Sequence, residues 1–345
     1  MLIATAIACC ACPTACAGSG GGTPAAHPPR THARSTRHLP VPAHAHPPVA
    51  RPRPVAIVSV EGENGVFAVS LPGGRILRRA AVAAHPTTVA EGGTGPVVAV
   101  SPQAGVVTLL APRTLRRNQV VGGFRSPQIA AVASGGRWAL VTDAAAGTVS
   151  ALDLRTGNVA DRVRVGQGAH HIAISPDGRR AWVALGETAE AIVTVDCADM
   201  RRLRVTGRID PQVAAHDLAF APGGATVWVT SATRPFVSVL SAASGRVLAR
   251  IPAGAAPQHV AFGGRYAYVT SGYGASIEMV DSADGRVVRT AAVPYGSFNL
   301  AVAGRVLVVT SLLDGRVTEL DARTLRRLMS RVVAPQARSV ALGLW

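Results

Sequence analysis

The chain reads as an all-β protein: a seven-bladed β-propeller of four-stranded antiparallel blades, its ring closed by the C-terminal strand joining the first blade. Three observations predict this. An alanine following an aliphatic residue recurs at Ala90, Ala130, Ala173, Ala219, Ala261, Ala301 and Ala341, in steps of 40 to 46 residues. Each interval holds four short β-rich runs separated by glycine-bearing turns, which is the period and content of a propeller blade. The two ends of the repeating region are complementary. Residues 55–60 begin it with a second strand, and Ser339-Val340-Ala341-Leu342 ends it with a first strand and nothing more. Joining the two gives seven complete blades and removes the exposed sheet edges of an open ring.

Ahead of the propeller, residues 1–18 are small and apolar (LIATAIACCACPTACAG from residue 2), too short to span a bilayer as a mature helix. They are expected to be an export signal of the lipoprotein type, with Cys16 as the lipidated residue and Cys9 or Cys10 as alternatives. Residues 19–54 are rich in Pro, His and Arg without apolar periodicity, so a disordered spacer is expected there. The propeller itself is assigned to residues 55–345. These features place the protein outside the cytoplasm, lipid-anchored on the outer face of the cell membrane or in the cell wall, or secreted.

Within each unit the order is constant. The anchor alanine lies in a first strand, and a turn such as Asp177-Gly178 or Gly223-Gly224 follows, where glycine accepts positive φ. A second strand closes on Thr or Ser (LVT at 140–142, WVT at 228–230, YVT at 268–270, VVT at 308–310). A third often closes on Asp, as at Asp153, Asp196, Asp281 and Asp321, where the carboxylate suits the following turn better than catalysis. The fourth strand is rich in Arg and Val. Small alanines are expected where the inner strands converge on the axis, with neighbours such as Ile172 and Ile174 facing adjacent blades.

The stretches ISPDGRRAWVAL (174–185), FAPGGATVWVTS (220–231) and YAYVTS (266–271) carry a resemblance to the YVTN-type β-propeller repeat family. It covers residues 55–345, with the first two units weakest. The resemblance implies an exported seven-bladed propeller and no particular reaction.

Composition narrows the chemistry. Of 345 residues 48% are hydrophobic and 4% aromatic, and the formal net charge is +16. Every one of the 35 basic residues is arginine, which excludes a Walker A loop, a Schiff-base lysine and a Ser-Lys dyad. Five arginines fall in the spacer, leaving 30 against 19 acids in the propeller, a net of +11. A basic rim of this kind is expected to favour polyanions, nucleic acid included, through nonspecific electrostatics. Four of five cysteines lie in the first sixteen residues, so Cys197 stands alone and no disulfide framework exists in the propeller.

Propeller ligand sites form at the tunnel mouth, where the inner strands begin. Two residues before each anchor stand Thr88, Gln128, His171, Asp217, His259, Asn299 and Ser339, all polar. One residue earlier come His170, His216, Gln258, Phe298 and Arg338 among others, and Tyr295 lies on the same approach. All five propeller histidines, His85 included, fall within five residues before an anchor. Strand-end capping accounts for such residues equally well. The site expectation is a small ligand held by His170, His171, His216, Asp217, His259, Tyr295, Phe298, Asn299 and Arg338. A divalent metal ion is expected on His171, Asp217 and His259, since imidazole and carboxylate suit a transition ion. Strand alternation sends His170 and His171 to opposite faces, so only one of them is expected in the site.

The function expected is therefore binding or scaffolding by a monomer, its partner a cell-envelope component or small ligand. The alternatives are an enzyme of lactonase, lyase or metal-oxidoreductase type at the tunnel mouth, and a polyanion binder. Fold analogy alone does not choose among these.

Overall fold

The computed structural model describes residues 53–345 apart from 92, 94, 187–190 and 232. The proposed signal, lipidation residue Cys16 and most of the spacer lie outside the described residues. Seven four-stranded antiparallel sheets form the ring. From the axis outward, blade 1 consists of Ala337–Leu344, Pro54–Val60, Gly65–Ser70 and Ile76–Ala81. The remaining blades follow in chain order, with inner strands Thr88–Ala90, Pro127–Val132, Ile172–Ile174, Leu218–Phe220, His259–Gly263 and Ser297–Ala303. Helix is confined, among the described residues, to two three-residue 3₁₀ turns, Glu61–Glu63 and Gly272–Gly274.

Closure joins the two ends of the domain. Pro54–Val60 pairs antiparallel with Ala337–Leu344, with Ile57 opposite Ala341, and Arg53 and Trp345 exchange both backbone hydrogen bonds (2.6 and 2.9 Å). No inner edge of blade 1 is left open.

Burial peaks in the middle strands of each blade, the inner strands being mostly half-buried. The second and third strands are almost continuously buried, whereas fourth strands such as Asn158–Arg164 alternate between exposed and half-buried. The third-to-fourth pairing carries a register shift in every blade. These bulges twist each outer edge, and the outer arginines charge it, two devices that discourage edge-to-edge pairing.

The core lies between blades, and this corrects the expected role of the alanine column. Ile172 and Ile174 pack against blade 3, alongside Leu140 and Val149, while Ala173 on the opposite face meets the group containing Leu218, Phe220 and Val229 of blade 5. Ala219 likewise meets Val260 and Phe262 of blade 6. The sheets stand radially, so both faces of an inner strand meet a neighbouring blade and neither faces the tunnel. The alanine is small because the next blade's branched or aromatic pair already fills that interface. Trp182 and Trp228 lie fully buried in second strands and meet Phe220 and Phe262 of the next blade edge-on, at centroid distances of 5.8 and 5.3 Å.

The aspartates ending third strands serve their turns. Asp153, Asp196, Asp281 and Asp321 each accept the backbone N–H two residues on. Three of them also pair with an arginine sixteen residues earlier (Arg137, Arg265 and Arg305).

Candidate metal centre at the tunnel mouth

The segments entering the inner strands are held by one recurring device. A threonine near the end of the second strand donates its hydroxyl to a carbonyl of the next blade, always 28 residues on. Thr142 holds His170, Thr230 holds Gln258 and Thr310 holds Arg338, each at 2.6 Å, and Thr270 holds Phe298 in the same way. The same oxygens accept the N–H of Ile129, Asp217 and His259 in their own blades. The hydroxyl therefore bridges two blades at the point where the site residues emerge. A second link comes from the polar column itself. Thr88 donates to the Gln128 carbonyl at 3.0 Å, Asp217 accepts from Val260 N–H at 3.1 Å, and Ser339 accepts from Val89 N–H at 3.3 Å. Part of that column thus caps strand ends.

These segments from all seven blades enclose a cavity of about 290 Å³ at the start of the inner strands. Its wall includes His170, His171, His216, His259, Phe298, Asn299 and Arg338. Four imidazoles occupy one side. His171 is the hub, with ring centroids 4.5 Å from His170, 4.8 Å from His216 and 5.1 Å from His259, and His216 and His259 stand 5.3 Å apart. One ring nitrogen from each of His171, His216 and His259 lies within 4.8 Å of the others.

His170 and His171 reach the same cavity, with their Nδ1 atoms 2.9 Å apart, against the expectation from alternation. The reason is local. Regular strand geometry begins only at Ile172, so the preceding pair is free of the two-residue period.

Asp217 lies behind the imidazoles. Its Oδ2 is 3.2 Å from His259 Nδ1 and also accepts Val260 N–H, so both the ring orientation and the tautomer of His259 are set. His216, its neighbour, supplies the third converging nitrogen in the place where the sequence suggested Asp217. Asn299 and Phe298 also line the cavity, as does Arg338, whose Nη1 binds Glu61 at 2.9 Å. Tyr295 is largely exposed and lies off the cavity wall, 6.1 Å from the ring of Tyr273.

Sequence reasoning passed over Tyr273 and Leu312, which complete the wall from turns after the second strands of blades 6 and 7. Tyr273 stacks edge-on against Phe298 at 4.9 Å. The signal was positional: these turns directly follow Thr-Ser pairs (270–271 and 310–311) that approach the next blade's entry segment.

Electrostatics keep the central imidazole neutral. Burial above all, then the neighbouring His170, His216, His259 and Arg338, hold His171 well below the ordinary imidazole range. A neutral imidazole presents a lone pair, and three imidazole nitrogens this close together are a candidate ligand set for a borderline transition ion. Metal–nitrogen bonds of about 2.0–2.1 Å would require the three rings to close up from their present spacing.

No family model and no curated protein matches the chain. Among solved structures it is similar to a functionally unknown protein from Desulfotomaculum acetoxidans, with TM-score 0.73 and 13% identity over 84% of this chain and 98% of that one. It is also similar to AztD from Citrobacter koseri, solved in the apo form (TM-score 0.66, 13% identity, 85% and 98% covered). Hydrazine synthase of Kuenenia stuttgartiensis gives TM-score 0.60 and 21% identity over 69% and 76%. At these identities the likeness is one of fold: the chain is a seven-bladed β-propeller.

Proposed function

We propose that this protein is an extracytoplasmic binding propeller that holds a transition metal ion of the zinc or copper kind at its tunnel mouth. The convergence of His171, His216 and His259 on one point of the cavity carries this reading. Asp217 is the positioning residue for His259, and the neutral state of His171 keeps the set ready for a metal at ordinary pH. An assignment to the YVTN-type repeats, export and a lipid on Cys16 belong to the same reading, supported by the N-terminal composition and the second-strand Thr signature.

The test is calorimetric titration of chelator-stripped protein with Zn²⁺ and, separately, Cu²⁺. One site per chain is expected. His171→Ala, His216→Ala and His259→Ala should each abolish it, and Asp217→Asn should weaken it about 10–100-fold, as loss of an outer-shell partner does. Binding that is absent, or indifferent to all three alanine variants, would leave these histidines as strand-end polar groups.

A further inference from the structure

A second cavity lies at the opposite end of the tunnel. The first is lined by the beginnings of the inner strands (Thr88, Phe298, Arg338); the second is lined by their ends, Glu91, Ala303 and Leu342 to Trp345. It measures about 660 Å³, within the roughly 300–1,000 Å³ common for small-molecule sites. Its walls are mostly apolar: Pro54, Val306, Leu342, Leu344 and Trp345 offer accessible surface, while Ile57 and Val97 are fully buried.

One acidic side chain, that of Glu91, interrupts those walls. Gly343 of the closing strand lies beside it: a Cβ placed there would meet the two Glu91 oxygens at 3.4 and 3.5 Å, in ordinary van der Waals contact. Glu91 has no hydrogen bond or ion pair among the described residues. Burial pushes its carboxyl up to about 7. The other charged residue on the wall is Arg113, which is exposed at the rim. A partnerless carboxylate in apolar surroundings is costly unless it takes up a proton or meets a cation.

The geometry points to a binding site for an organic ammonium with an apolar body, its cation on Glu91 and its hydrocarbon against Pro54, Val306, Leu342 and Trp345. The walls supply area for the hydrocarbon, the carboxylate supplies the charge-assisted hydrogen bond, and the Trp345 ring adds a face that cations favour. The site is independent of the histidine cluster, since no residue is shared between the two cavities.

Two probes of matched hydrocarbon length separate the charge from the grease: n-octylammonium and n-octanol, each titrated calorimetrically into the full chain. Octylammonium should bind at least about tenfold more tightly, the worth of one charge-assisted contact. Its affinity should rise between pH 5.5 and pH 8 as Glu91 ionises. Glu91→Gln, which keeps the shape and removes a buried charge, should remove the preference for the amine while leaving octanol binding intact. His171→Ala should change neither. Equal affinity for the two probes, binding of neither, or an amine preference that survives Glu91→Gln would overturn the proposal.

Discussion

The hydroxyl of a second-strand threonine holds the tunnel mouth together. It donates to one blade and accepts from another, so replacing it leaves two backbone groups unpaired in a buried place. Thr230→Val should cost about 1–3 kcal/mol in chemical denaturation. It should also weaken zinc binding, because Thr230 fixes both the Asp217 N–H and the Gln258 carbonyl beside His259. Thr230→Ser should restore most of both. The same position is Ala184 in blade 4 and Val100 in blade 2, so those two interfaces already lack the bridge. Glu91 gives a pH signature. Its folded-state affinity for a proton is raised, so its favourable contribution is complete below about 4.5 and is lost as pH rises through about 7. Glu91→Gln should therefore leave the melting temperature unchanged at acid pH and raise it by roughly 2 °C at pH 8, allowing for solvent screening. Differential scanning fluorimetry across pH 4–9 reads this directly. Cys197, buried and with its thiol pushed up to about 12 by that burial, should resist iodoacetamide at pH 7 until the protein unfolds.

The second strands of blades 4 and 5 push their largest side chains into the next blade. Trp182 and Trp228 are the largest wholly buried side chains, and each abuts an inner-strand phenylalanine of its neighbour. Trp228→Ala should cost about 3–5 kcal/mol, as deletion of a core aromatic does, measured by denaturant midpoint. Trp228→Phe should cost markedly less, since a ring still meets Phe262. The outer strands show the opposite logic. Their bulges and arginines keep the rim soluble, and sequence there is tolerant because half its side chains face water.

The ring as a whole depends on a pairing between residues nearly 290 positions apart. Ser339 N–H donates to Ser59 Oγ at 3.0 Å, Val89 N–H donates to Ser339 Oγ, and Arg338 binds Glu61, so the closing strand links blades 1 and 2 as well as filling its own place. Removing residues 335–345 should open the ring, expose two sheet edges and lower cooperative stability by much more than any single substitution. A truncated protein with the intact protein's melting curve and no gain in aggregation would contradict closure as the source of stability. Such a truncation should also abolish zinc binding, because the cavity loses Arg338 and the histidine-bearing segments lose their fixed separation.

Seven alanines at steps of 40 to 46 residues were enough to number the blades, place the inner strands and find the split blade, because repeats display their period without any tertiary information. The same register located the tunnel mouth and His170, His171, His216 and His259 on it. Which atoms converge there was decided by three dimensions. The period of a strand does not apply to the residues just before it, so only the fold could turn His170 and His171 to one side. Only the fold could set His216 beside its neighbours and Asp217 behind His259, since adjacent residues leave a strand end in directions fixed by the next blade's backbone. The Glu91 cavity has no sequence signature at all. It arises where the ends of strands from blades 1, 2 and 7 meet, which sets Gly343 of the closing strand beside the Glu91 carboxylate of another blade.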